Sequence, residues 1–227
     1  MGLILCIDTS GATGSVSIAA DGALLGELSN PLPTEHAAFL QPAVQLLTQR
    51  LGLQLAQIDA VAVSNGPGSY TGLRVGLASA KGICFALGKP LIALSSLQIM
   101  AKDASQAAGF DPKSLICPMI DARRMEVFYG LYLPDGTESL PAKTAVLTPD
   151  FLENYLEKQP VSFVGNGVEK WQTICTHINA RFATQPVNLL QAMAQLAQHD
   201  FEQGRFADTA YAEPFYAKAF YTPLSAK

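Results

Sequence analysis

Residues Asn65 to Gly82 read NGPGSYTGLRVGLASAKG, a glycine-rich turn running straight into a helix. Glycines ahead of a helix let backbone N–H groups approach an anion, and the first N–H groups of the helix have no partner of their own. The stretch therefore has the outline of a phosphate loop. A Walker loop needs GxxxxGK followed by Ser or Thr, because the lysine reaches the terminal phosphates and the hydroxyl holds magnesium. Here Gly66, Pro67, Gly68, Ser69 and Tyr70 lead to Thr71 and Gly72, and no lysine follows. Two readings survive: an anion at Gly68 and Ser69, or a tight turn that packs helix on strand.

A second set of candidates is acidic. Asp8 and Asp121 each end an apolar run, LILCID and LICPMID, and the carboxyl ends of strands are where α/β sheets collect ligands. Strand termination is the alternative for either. An actin-like nucleotide grip uses two glycine-and-hydroxyl loops after such strands. DTSGATG, with Asp8 and Ser10, could serve as one, but DARRME, from Asp121 to Glu126, has no glycine and no hydroxyl. Gly165 and Gly167 flank Asn166 where an adenine could sit, or where a turn enters the next helix. His36, His177 and His199 form no HxxxH or HExxH pair. Neither Ser10 nor Ser69 lies in a GxSxG elbow or beside a base, so no covalent chemistry follows from them.

The elements that must position these residues read as one pattern written twice. Runs at Leu3–Ile7, Ser15–Ala20 and Ala23–Leu28, joined by tight turns, predict three strands. Leu40, Val44, Leu47 and Leu51 predict a helix over 34–51 with Thr34 as cap and Gly52 as stop, and Pro42 should kink it or delay its start. Strand 58–63, helix 70–87, strand 91–94 and helix 97–108 complete βββαβαβα. From Leu115 the order returns: strands 115–121, 127–133 and 144–147, helix 148–158 with Thr148 as cap, strand 161–164, helix 168–178, a weak strand near Phe182 and helix 189–204. The fold class is α/β, two ribonuclease-H-like βββαβαβα domains in the architecture of the actin-like ATPase superfamily. The expected domains are 1–109 and 110–227, the last segment returning to the first.

The helix over 70–87 carries more than one apolar face. Leu73, Leu77, Ala80, Cys84 and Leu87 form the stripe expected against the sheet. Val75, Gly76, Ser79, Gly82 and Ala86 form a second, small face, and glycine in a helix costs ~1 kcal/mol against alanine unless close packing offsets it. Phe39, Ala43 and Leu46 give the preceding helix a surplus face too. Either the two helices cover each other, or another subunit completes a four-helix arrangement. On the second reading, Gly76→Arg abolishes partner binding without unfolding.

Composition sets the outer limits. The 227 residues are 49% hydrophobic and 15% charged, with a net charge of −4, enough for real cores and without the basic footprint of a nucleic-acid-gripping surface. Cys6, Cys84, Cys117 and Cys175 form no CxxC pair and read as thiols in a reducing cytoplasm. No signal peptide and no apolar run of ~18 residues is expected.

ILCIDTS, EHAAFLQP, VSNGPGSYTGLRVGLASAKGI, IDARRMEVF, FVGNG and EPFYAK together resemble the TsaB (YeaZ) family of bacteria, over nearly the whole chain. GPGSYTGLRVGLASAKG after the fourth strand is the distinctive part. The resemblance implies a non-catalytic scaffold or activator in making N6-threonylcarbamoyladenosine at position 37 of tRNAs that read ANN codons. It would act with the catalytic paralogue TsaD and the ATPase TsaE, meet tRNA through that complex, and hold no cofactor of its own, ATP being used by partners. The paralogue carries a metal-binding HxxxH in its first helix, where TEHAAFL offers one histidine. Family members pair through their first two helices, as homodimers or with TsaD. That assigns partner binding to Glu35, His36, Phe39, Ala43 and Leu46, and to Val75, Gly76, Ser79, Gly82 and Ala86. The rival enzyme readings are a glycoprotease-like peptidase and a stand-alone actin-like ATPase.

Overall fold

A computed structural model describes residues 2–30, 32, 35–183 and 189–217. The first half forms β1 (Leu3–Asp8), β2 (Ser15–Ala20), β3 (Ala23–Ser29), α1 (His36–Arg50), β4 (Ala60–Gly66), α2 (Tyr70–Leu87), β5 (Leu91–Ser95) and α3 (Ser96–Ser105). The second forms β6 (Leu115–Asp121), β7 (Glu126–Tyr132), β8 (Glu138–Val146), α4 (Glu153–Leu156), β9 (Val161–Val164), α5 (Val168–Gln172), β10 (Ala180–Phe182) and α6 (Leu189–Glu202). The sheets run β3-β2-β1-β4-β5 and β10-β9-β6-β7-β8. Read from its other edge, the second order repeats the first, so the duplication seen in the sequence is real in space.

β1 is antiparallel to β2 and parallel to β4. A central strand covered on both faces needs an unbroken apolar run, and its residues divide by side: Leu5 and Ile7 pack under α1 and α2, while Ile4 and Cys6 face Met193, Ala194 and Ala197 of α6. β3 at the edge alternates exposed and half-buried residues instead. α6, last in sequence, thus packs on the first sheet, and α3 of the first half packs on β6 and β7 of the second. The two helices touch and fill the space between the sheets. Phe151, Leu156 and Trp171 cover the far face of the second sheet. Among the described residues no helix is long and apolar enough to cross a membrane.

Several elements differ from expectation: β8 begins at Glu138, well before the expected 144, and α3 ends at Ser105 rather than 108. α1 starts at His36 and runs through Pro42 without delay, and Thr34 lies outside the described residues. The helix expected over 148–158 shrinks to Glu153–Leu156, because Leu152 takes a left-handed φ of 58° and residues 148–152 turn instead. α5 ends after Trp171 has been buried. The chain then turns to bring Ala180 beside Val161, with Asn179 Nδ2 donating to the Leu156 carbonyl at 2.7 Å.

Candidate functional site

A cleft of about 950 Å³ opens between the two sheets at the carboxyl ends of β1 and β6. Its first wall is the loop after β1. One Asp8 oxygen, Oδ1, accepts from Ser10 N (2.9 Å), Ser10 Oγ (2.7 Å) and Ser64 Oγ (2.6 Å), which fixes the loop against β4. The glycine-rich turn is pressed onto this loop. Ser69 N–H donates to the Ser10 carbonyl at 2.7 Å, and a side chain on Gly68 would run into the Ser10 backbone. Gly72 N–H donates to Ser69 Oγ at 3.3 Å, an N-cap for α2. The N–H groups of Ser69 and Gly72 are therefore engaged within the chain, and Gly68 serves close packing.

The opposite wall is electrically closed. Asp121 Oδ1 meets Lys170 Nζ at 2.5 Å and accepts from Arg123 N–H at 2.5 Å. Burial pushes the Asp121 carboxyl up, but Lys170 and Arg123 together outweigh that and hold it below its ordinary value. Arg123 and Arg124 sit at left-handed φ of 68° and 50°, a conformation that costs a non-glycine residue roughly 1 kcal/mol or more. Gly165 and Gly167 lie against Met119, and Gly167 N–H donates to the Met119 carbonyl at 3.0 Å. Their missing side chains make room for β6.

His36 is wedged at the cleft floor, 4% exposed, its Nδ1 without a hydrogen-bond partner. A Cβ on Gly14 would stand 2.7 Å from that nitrogen. His36 therefore faces the interior and the cleft floor, and offers little outward surface. No group of three or more His, Cys, Asp or Glu side chains among the described residues could hold a metal ion.

The helical face divides more finely than its wheel predicted. Gly76 is buried, and a side chain there would strike Thr9 Oγ1. It belongs to the interior, so the expectation that Gly76→Arg would spare the fold is corrected. Ala43 is buried as well, and Phe39 and Val75 are half-buried against the first core. Ser79 is half-buried, whereas Glu35, Gly82 and Ala86 are exposed. Leu46 is 41% exposed and Phe85 87% exposed. Sequence reasoning missed Phe85. The signal was present: it stands three residues after Gly82 and outside the Leu73, Leu77, Ala80 and Cys84 stripe.

A family model described as "TsaD: tRNA N6-adenosine threonylcarbamoyltransferase" matches residues 32–204. The chain is 34% identical over 166 residues to the tRNA threonylcarbamoyladenosine biosynthesis protein TsaB of Bacillus subtilis, covering 72% of this chain and 70% of that one. Against the protein of the same name from Escherichia coli it is 30% identical over 217 residues, 93% of this chain and 92% of the other. Its structure is similar to that of YeaZ from Pseudomonas aeruginosa, with a TM-score of 0.79 and 29% identity over 95% of this chain and 100% of that one. A dehydratase activator from Clostridium difficile with bound ADPNP shares the fold alone, at a TM-score of 0.52 and 11% identity. With relatives matched over most of their length and a structure similar to YeaZ across nearly the whole chain, the chain belongs to the TsaB (YeaZ) family of tRNA threonylcarbamoyladenosine biosynthesis proteins.

Proposed function

We propose that this protein is a non-catalytic scaffold for threonylcarbamoylation of adenosine in tRNA, docking a TsaD-type transferase through the exposed part of α1 and α2. One observation carries the reading: Phe85 is 87% exposed on a helix whose neighbouring outward positions, Ala78, Gly82 and Ala86, are small. A large ring amid small residues is the kind of anchor that fills a pocket on a partner. Leu46 on α1 extends the apolar face. The cleft supports the same reading, since Asp121 is paired with Lys170 and the glycine-rich turn packs on Ser10. In this proposal the isolated chain pairs with a second copy through the same face, a TsaE-type ATPase joins through the complex, and tRNA is met only there.

The test is mass spectrometry of tRNA nucleosides from cells depleted of the protein and rescued with wild type or Phe85→Glu. Loss of N6-threonylcarbamoyladenosine, restored by wild type and not by Phe85→Glu, is the expected result. Full rescue by Phe85→Glu overturns the docking face, and an undiminished modification after depletion overturns the pathway.

A further inference from the structure

The end of the described chain touches both sheets. After α6, Ala207 makes an antiparallel bridge to Leu91. The chain then runs back along α2, where Lys81 Nζ donates to the carbonyls of Ala210 (3.1 Å) and Ala212 (3.0 Å). Phe215 N–H donates to the Asn65 carbonyl at 2.8 Å, and the Phe215 carbonyl lies 2.6 Å from where a Cβ on Gly66 would stand. Gly66 also has a φ of +109°, so conformation and contact both select glycine. The Tyr216 ring stands 5.1 Å from that of Tyr70, and its hydroxyl accepts from Arg74 Nε at 3.0 Å. The Arg74 guanidinium lies 4.0 Å over the Tyr70 ring. Thr144 Oγ1, on β8 of the other sheet, donates to the Ala217 carbonyl at 2.9 Å. Phe215, Tyr216 and Ala217 all line the cleft.

We propose that Phe215–Ala217 form a strap that ties β4 to β8 across the cleft, and that Arg74 links this strap to the TsaD-type transferase docked on α2. Arg74 stands in line with Ala78, Gly82 and Phe85, all exposed and spaced four, four and three residues apart, so it ends the same outward stripe. This link rests on the docking reading above. The phenol oxygen of Tyr216 is a neutral acceptor. A carboxylate on a docked partner makes a charge-assisted, bidentate bond to the same guanidinium and outcompetes it. A partner with an acidic side chain opposite Arg74 therefore takes one of the strap's anchors, while the Thr144 and Asn65 bonds and the Tyr70 ring contact remain. The coupling is reciprocal: a released strap frees Arg74 and strengthens docking.

The experiment measures the distance between spin labels on the two cleft lips, at Ala12→Cys and Arg124→Cys, in the full chain carrying Cys175→Ser. The strapped chain gives one narrow distance. Tyr216→Ala, and separately Thr144→Val, shift it to longer and broader values, and so does adding the TsaD-type transferase. An unchanged distance in both variants, with thermal melts showing them folded, overturns the strap. If Phe85→Glu leaves the affinity for the transferase unchanged, the docking reading and its link fall, while the free-chain distances still decide the strap. If Phe85→Glu weakens the complex but complex formation leaves the distance unchanged, docking stands and the link through Arg74 is overturned.

Discussion

Thr9 Oγ1 stands where the side chain of any residue replacing Gly76 would go, and donates from there to the Gly72 carbonyl at 2.8 Å. One hydroxyl thus seats two glycines of α2 against the loop that follows β1. Gly76→Ala gains helix propensity worth ~1 kcal/mol but forces out a buried hydroxyl and its bond, so a net loss of ~1–3 kcal/mol is expected. Gly82, with nothing within 4 Å of its would-be Cβ, provides the contrast: Gly82→Ala stabilises by ~0.5–1 kcal/mol. Urea unfolding of the two variants side by side checks both signs. Equal effects would mean that Thr9 does not hold α2.

Phe85→Glu changes a ring that makes little contact within its own chain, so the melting free energy moves by no more than ~0.5 kcal/mol. Against a TsaD-type partner it places a charge in a desolvated pocket. The dissociation constant rises at least ~10-fold, or ~1.4 kcal/mol. Titration calorimetry of the purified pair reads this directly, and an unaltered constant would remove α2 from the interface.

The sequence carried the sheets well and the outward faces poorly, for a physical reason. β1, β4 and β6 each hold an unbroken apolar run, LILCI, AVAV and LICPMI, because both their faces are covered. A helix wheel, by contrast, has no memory of what lies beneath it. Gly76 and Gly82 look alike in the string, yet one meets Thr9 and the other solvent, and only the loop after β1 distinguishes them. The Asp8 and Asp121 correspondence was legible, since each ends the leading strand of a half. Lys170 as the partner of Asp121 was not: it lies 49 residues away on α5, and nothing local joins them. Leu152 likewise gave no sign that it would turn left-handed and shorten α4.

Three of the four thiols are buried: Cys6, Cys84 and Cys117, with Cys175 half-exposed. Burial pushes Cys6 up to about 12 and Cys84 up to about 11, and raises Cys117 well above its ordinary value. The thiolate is the reactive form, so these three stay inert near neutral pH. Iodoacetamide at pH 8 on the folded chain is expected to modify Cys175 first, the others following only at the rate of unfolding. Peptide mapping that found Cys6 alkylated in step with Cys175 would contradict the closed core beneath α6.

Asp121 offers the clearest dependence on pH. Burial acts to raise its carboxyl, but Lys170 and the Arg123 N–H and charge win, and the folded value lies below the ordinary one. A depressed carboxyl contributes stability above its unfolded value and loses it as pH falls through the folded one. The pair is partly exposed, with side chains 20% and 38% accessible, so water screens it and its worth is at most ~0.5–1 kcal/mol. Lys170→Met is therefore expected to cost that amount at pH 7 and progressively less as pH falls through the folded value, where the carboxyl takes up its proton in either chain. Carboxyl carbon NMR gives the sharper reading. In Lys170→Met the Asp121 midpoint moves upward, because the burial contribution remains when the lysine is gone. A midpoint that stayed in place would assign the depression to the Arg123 turn, and the cleft wall would then be held by backbone rather than by the ion pair.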